Sequence, residues 1–555
     1  MSLLYLCKLF FTVKYLTFGQ VLYRLIYRFS SRVKLIAFGD AVCRDWPVLW
    51  QAPKSNKIST KDAINFYFIG ERGCVLKVDD WHCDRFSMLW RYNLHYLDAL
   101  NEGYVGSRMA VAYDLLGRWV AANPAACGIG WDPYPLSIRI VNIIKFLGGQ
   151  ESPNSKWLIS LSEQASVLGQ RIERHILGNH IFANGKALVF SGAYLSGSDA
   201  DRWLKKGLKI LDREIKEQFL EDGAHFELSP MYHSTLLWDM CDLVNLAERA
   251  NLPQLSARLS EWRLVVVRGL QWLRSMQHPD GGIPFFNDAA FGIAPTLADL
   301  EDYASRLEGC SPVPDEGKDN FGAHYHAQSG YASIDLGDGN KTLLDLARVG
   351  PDYQPGHAHA DTLSFELSLF GKRIFVNSGT SQYGDDAERH RQRSTSAHNT
   401  VEVDGENSSE VWSGFRVARR AYPVLELFDN QSDKILIRAS HTGYLRLKGG
   451  VLHRREWLFE SGHIGLLDTV KGEHGVAVAR LYVHPEIRFI EEQGRFIARL
   501  EGGGYVIVEF KGGESNRLVS SSWHPEFGKK IENQCIESVF RNGSLTTHIY
   551  WGASV

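Results

Sequence analysis

Histidine, histidine and aspartate recur two residues apart at His357, His359 and Asp361, within the stretch Gly356–Leu367. All three side chains exchange protons or bind metal at neutral pH. An alternation follows, Leu363, Phe365 and Leu367 against Ser364, Glu366 and Ser368. Period two predicts a strand. On a strand, residues two apart share a face, so the three polar groups are expected to project together. The plainer alternative is a hydrogen-bonded polar face at a sheet edge. A second histidine opens another alternating run, Ser394–Val403, as His398-Asn399. Neutral imidazole is a common metal ligand, so His359 and His398 are candidates to share one ion.

Two further constellations precede these. Gly178-Asn179-His180, with Asn184 four residues on, stands just before an apolar run. It reads as a helix-entry loop with two side chains free for chemistry, or as a simple helix cap at Asn179. Glu227–His233 ends in Tyr232-His233 at the mouth of the next apolar helix, a pair able to donate and accept protons. A half-buried Tyr232 with its hydroxyl in water is the plain alternative. Cations punctuate the loops: Arg91, His95, Arg139, Arg348, Arg389, Arg391 and Arg393. Arginine forks bind carboxylate and sulfate in bidentate fashion, although surface ion pairs use arginine too. A glycoside hydrolase would need two opposed carboxylates. Asp222, Glu227, Asp280 and Asp288 are available, with no pairing evident.

These groups must be positioned by at least two domains, since 555 residues exceed one ordinary core. Residues 60–315 carry apolar spacings of three and four, as in Met109–Val120, Trp157–Leu168 and Thr235–Ala247, separated by aromatic, Gly/Pro-rich loops. An α/α array or toroid is expected. From residue 321 to 555 short alternating runs separated by Gly, Asn and Asp predict an antiparallel β-sandwich. Cys310–Asn320, rich in Pro, Asp, Glu and Gly, is the expected junction. Residues 1–59 form a basic N-terminal segment. Its first 39 residues hold six Lys or Arg and no Asp or Glu. They are expected either to pack on the main domain or to lie on a membrane surface. No run is long enough to span a bilayer, and no cleavable signal is evident. A cytoplasmic or membrane-peripheral location is therefore expected over a secreted one. Hydrophobic residues make up 44% and charged residues 23%, with a net charge of −3, so no nucleic-acid partner is expected. The eight cysteines are scattered without a CxxC pair, which argues against a zinc ribbon or disulfide scaffold.

Together the stretches resemble the heparinase II/III-like polysaccharide lyases, over roughly residues 80–470. The likeness is strongest at Gly178-Asn179-His180, Ser229–Tyr232, Gly356–Asp361 and Ala397–Val401, and extends to Leu89–Tyr96 and Gly130–Arg139. It implies an α+β chain, an α/α toroid followed by an antiparallel β-sandwich, with a cleft between them. It implies β-elimination on a uronate-containing acidic polysaccharide. By this resemblance Asn179 neutralises the uronate carboxylate, helped by an arginine or His357. Tyr232 is the acid and also a candidate base, and His180 is the base for the opposite C5 epimer. Arg91, His95, Arg139, His233, Arg391 and Arg393 are then expected to bind substrate. The family often carries one divalent ion, Zn²⁺ or Mn²⁺, on two histidines and an aspartate. His359 and His398 match, but Asn377 stands where the aspartate is usual. An amide is a weaker ligand than a carboxylate, so a weaker site, a preference for Mn²⁺, or no metal is expected. A non-catalytic polysaccharide-binding accessory protein of a biosynthetic system is the competing reading.

Overall fold

The structure is a computed structural model. It describes residues 3–29, 33–36, 38, 41–44, 53, 58–103, 107–150, 152–311 and 321–553. The expected junction at Cys310–Asn320 lies outside the described residues from 312 onward.

Thirteen described α-helices run in chain order: α1 Leu3–Val13, α2 Phe18–Phe29, α3 Met88–Tyr96, α4 Ser107–Ala122, α5 Pro133–Leu147, α6 Ser155–Gln170, α7 Gly178–Tyr194, α8 Ser198–Gln218, α9 Pro230–Arg249, α10 Pro253–Ser256, α11 Leu259–Ser275, α12 Leu297–Ser305 and α13 Ala387–Arg393. The helices from α3 to α12 form the toroid. Helix α7 is its hub, buried at almost every position and packed against α5, α6, α8 and α9. Close approach there depends on small residues, since a Cβ at Gly192 would lie 2.5 Å from the Ala200 carbonyl. One departure from the helical expectation is a hairpin, Asn65–Phe68 with Glu71–Cys74. Its Phe66 and Phe68 join the helical core, so this period-two segment packs with the helices around it.

The β half carries three larger antiparallel sheets. A five-stranded meander runs from Gly322–His326 to Lys372–Phe375. It packs face to face on an eight-stranded sheet that includes Lys434–His441, Leu452–Glu460 and His463–Lys471. The core between them holds Ile334, Leu344, Phe365 and Leu367 against Ile437, Trp457, Phe459 and Ile464. A four-stranded sheet contains Val401–Val403.

The alternation predicted a strand, and the strand Phe365–Leu369 is buried on both faces. Its odd positions enter the sandwich core, while Glu366 and Ser368 meet His278 from the loop after α11. The polar half of the alternation thus marks the seam with the helical half. Among the described residues no helix is long and apolar enough to cross a membrane.

Candidate active site

Three chain segments converge at this seam. The first is the entry to α7. Leu177 and Gly178 both adopt positive φ, which turns the chain into the helix. Asn179 is buried, its backbone N–H on Glu227 Oε1 and its Oδ1 left without a partner among the described residues. His180 keeps partial exposure, stacks near Tyr134 at 4.4 Å and directs Nδ1 to Glu173 Oε1 at 3.0 Å. Asn184, one turn on, donates to Glu173 Oε2 at 3.0 Å and accepts the Glu173 N–H at 2.8 Å. Burial alone would lower the His180 pKa, but the Glu173 carboxylate outweighs it and holds the imidazole above its ordinary value.

The second segment is the entry to α9. Ser229 caps the helix by accepting the Tyr232 N–H at 3.2 Å, and Pro230 occupies the first turn. Adjacent helical residues point about 100° apart. Tyr232 therefore reaches the cleft while His233 enters the core, where it accepts the His225 N–H and meets the Gly269 carbonyl. The Tyr232 hydroxyl lies 3.0 Å from that of Tyr383. Burial, reinforced by Tyr383, raises its pKa well above the usual tyrosine value.

The third is His357–Asp361. It is an irregular loop, not the start of a strand; the strand begins only at Phe365. Loop geometry separates the side chains that a strand would have aligned. His357 turns to Tyr232, ring on ring at 3.8 Å, with Nδ1 on Glu227 Oε2. Burial would raise Glu227, but His357 more than offsets that and keeps it low. Glu227 also accepts the Asn179 N–H at 3.2 Å, so one carboxylate ties α7, α9 and the loop together. His359 and Asp361 turn the other way, toward His398; the three ligand atoms lie within 4.8 Å of one another.

The loop is pinned from the helical side by Asn287. Its N–H donates to Asp361 at 2.8 Å, its Oδ1 accepts the His359 N–H at 2.9 Å, and its Nδ2 donates to the Leu228 carbonyl at 2.9 Å. Leu177, Leu228, Asn287 and Leu363 all have positive φ without being glycine. Such conformations cost on the order of 1–3 kcal/mol each and concentrate at functional sites.

The expected substrate cations divide. Arg91 and Arg391 remain partly exposed, Arg391 held by Glu388 and His524. His95, Arg139, His233 and Arg393 are all in the interior. His95 accepts from Trp119 Nε1 and meets the Trp81 carbonyl, and burial pushes its pKa down to about 3, so it offers no cation. Arg139 lies 3.9 Å over Trp119 and donates to the His95 and Gly130 carbonyls. Arg393 donates to the Ala358, Ser413 and Arg416 carbonyls and so braces the loop instead of facing a ligand. Loop position in the sequence did not reveal which arginines turn inward. Arg348 is exposed over Tyr422, and buried Arg389 forks onto Asp288.

Asn377 also departs from its expected place. Its Oδ1 accepts the Asn399 N–H at 3.0 Å and its Nδ2 donates to Ser364, which uses up the amide. Asp361 stands with the two histidines instead. The hydrolase carboxylates are committed as well: Asp222 to backbone N–H groups, Glu227 to His357, Asp280 to Arg373, and Asp288 to Arg389 and His359. Glu173, Tyr134 and Tyr383 were not anticipated. Tyr134 lies in the stretch Gly130–Arg139 but was not singled out there, and no motif marks Glu173 or Tyr383, whose places depend on partners distant in sequence.

Family models match both halves: "Heparinase II/III N-terminus" over residues 114–305 and "Heparinase II/III-like, C-terminal" over 319–551. The chain belongs to the heparinase II/III-like family. A heparin-sulfate lyase of Bacteroides stercoris is 24% identical over 359 residues, covering 61% of this chain and 50% of the relative. One of Pedobacter heparinus is 28% identical over 274 residues, 45% of this chain and 40% of the relative. The chain thus spans about half the length or less of these relatives. A crystal structure of heparinase III superposes with a TM-score of 0.66 at 18% identity, covering 83% of this chain and 76% of that one. Heparan sulfate lyase HepC from Pedobacter heparinus, as a mutant, gives 0.61 at 17%, covering 89% and 82%. At such identities the likeness establishes the fold, a toroid followed by a sandwich.

Proposed function

We propose that this member of the family is a polysaccharide lyase that cleaves uronate-containing acidic polysaccharide by β-elimination. The observation that carries the reading is Tyr232 stacked on His357, with one histidine–glutamate couple at His357 and another at His180. His180 and His357 each spend Nδ1 on a carboxylate, which leaves Nε2 to exchange a proton. The heparin-sulfate lyase relatives support a glycosaminoglycan-like substrate.

The chemistry follows from the acidity problem. The C5 hydrogen of a uronate becomes removable only when the adjacent carboxylate can take up charge. Asn179 supplies an amide for that carboxylate. A histidine Nε2, of His357 or His180 according to the C5 epimer, takes the proton. Tyr232 donates its hydroxyl proton to O4 as the C4–O4 bond breaks and the C4–C5 double bond forms. Its raised pKa favours the acid role and disfavours a phenolate base. No water is consumed.

His359, Asp361 and His398 fit a divalent ion. His359 Nε2 is held by Asp288 at 2.9 Å, which directs Nδ1 to His398 Nε2 at 3.3 Å, and Asp361 brings a buried carboxylate. Two imidazoles and a carboxylate suit Zn²⁺ or Mn²⁺. An ion there would brace the loop that carries His357, and no step of the elimination passes through it.

The test is ultraviolet absorbance of the conjugated product over a panel of uronate polysaccharides, with Tyr232→Phe alongside. Wild type is expected to raise the absorbance, and the variant to lose it by about 10²-fold or more. A flat trace with measurable polymer binding would replace the lyase by the accessory protein.

A further inference from the structure

The N-terminal helices lie outside both family-model matches and are built inside out. In α2, Gln20, Tyr23 and Tyr27 turn toward the protein. Gln20 Nε2 donates to the Tyr353 carbonyl at 3.0 Å, Arg174 covers the Tyr23 ring, and the Tyr27 hydroxyl donates to the Ile172 carbonyl. The opposite face carries Phe18, Val21, Leu22, Leu25, Ile26 and Phe29, a helical stripe exposed to solvent, with both phenylalanines more than 80% exposed. Arg24 and Arg28 flank it. Helix α1 repeats the pattern. Thr12 donates to the Val417 carbonyl and accepts from Trp412, and Tyr5 packs edge-on against Trp412. Its Leu3, Leu6, Phe10 and Val13 face out. The strap thus contacts the sandwich through α1 and the loop beside Glu173 through α2.

A helix normally buries its apolar stripe, and scattered exposed apolar residues need no explanation. A continuous stripe over two successive helices, pointing away from the core, does. Charge identifies what covers it: residues 1–39 hold six Lys or Arg and no Asp or Glu. At 11 and 12 residues, α1 and α2 are each about 18 Å long or less, short of the roughly 30 Å hydrocarbon core. We infer that this strap lies in the interface of an anionic phospholipid bilayer, its apolar stripe among the acyl chains and its cations at the headgroups. The inference is independent of the elimination chemistry.

Co-sedimentation of the full chain with phosphatidylcholine vesicles, with and without phosphatidylglycerol, tests it. Wild type is expected to bind the anionic vesicles and to be released by salt. The combined change Phe18→Ser, Leu22→Ser, Leu25→Ser and Phe29→Ser should reduce partitioning by about a hundredfold or more, with an unaltered melting temperature because all four side chains face solvent. Arg24→Gln and Arg28→Gln should each weaken it about fivefold. Wild type that stays in the supernatant with anionic vesicles at low salt overturns the inference. So does binding that survives the serine variant, or a wild-type dimer that the same variant dissociates, which would assign the stripe to a second copy of the chain.

Discussion

Glu173 shows how one side chain sets the working range of another. It binds His180 Nδ1 and is itself held by Asn184, so the imidazole has one orientation and a stabilised positive charge. The His180 pKa lies above its ordinary value, because attraction to Glu173 exceeds the effect of burial. Where His180 accepts the substrate proton, the acid limb of kcat/KM must then lie above about pH 6.5. Glu173→Gln removes the negative charge that favours imidazolium, so the limb is expected to move to lower pH. A pH–rate profile on an epimer that uses His180 reads this, and a limb that stays in place would detach His180 from the proton transfer. The same shift carries a stability term. A raised histidine stabilises the fold fully below about pH 6.5, its unfolded value, and the contribution fades as pH rises through the folded value. Melting temperatures taken upward from pH 6 should therefore fall more for wild type than for Glu173→Gln.

Element entries, more than element interiors, position the site. Helix α7 begins at Gly178 with φ of +58°, and a Cβ there would sit 2.7 Å from Glu227 Oε1 and 3.2 Å from Gln354 Nε2. Gly178→Ala thus combines a left-handed backbone penalty of about 1–2 kcal/mol with displacement of the carboxylate that holds His357. It is expected to lower the denaturation midpoint and, with His357 in the proposed proton-transfer role, to reduce kcat by about tenfold or more with KM little changed, since Glu227 orients His357. An unchanged kcat would show that Glu227 can move without consequence. The sequence revealed the apolar periods of the helices, the alternation of the strands, and the stretches around Asn179, Tyr232, His357 and His398, because those signals are local. It misled where direction depends on the tertiary fold. His357 and His359 diverge because their segment is a loop, and His95 and Arg139 are core residues held by Trp81, Trp119 and Gly130. Asn377 is spent on Asn399. Glu173 and Tyr383 carried no local signal, and Tyr134 only its place in the stretch Gly130–Arg139.

Across the whole molecule, the seam between helical and β halves combines an apolar cluster, Met231, Phe285 and Ala289 against Val376, Trp523 and Phe527, with ionic groups. Asp280 pairs with Arg373, Glu366 takes the Phe285 and Asn377 N–H groups, and Asp288 joins Arg389 to His359. Buried pairs of this kind add little net stability when complete, and cost several kcal/mol when one partner is lost. The His359, Asp361 and His398 cluster belongs to this seam, and among its three ligands only Asp361 is an anion. Burial raises the Asp361 pKa, and no Lys or Arg partner offsets it among the described residues. A bound divalent ion would supply the missing charge and stabilise the native chain by about 3–4 kcal/mol at saturating concentrations. Metal analysis of the purified protein is therefore expected to find close to one equivalent of Zn²⁺ or Mn²⁺. Dialysis against a chelator should lower the melting temperature by several degrees, and Asp361→Asn should reduce both the metal content and the size of that drop. Because an ion held by these residues would lie beneath the loop, outside the proposed path of the proton, the stability loss should appear in the melt with no substrate present. A chain free of metal, whose melt ignores the chelator, would leave Asp361 as a hydrogen-bonding group of the seam that accepts the Asn287 N–H.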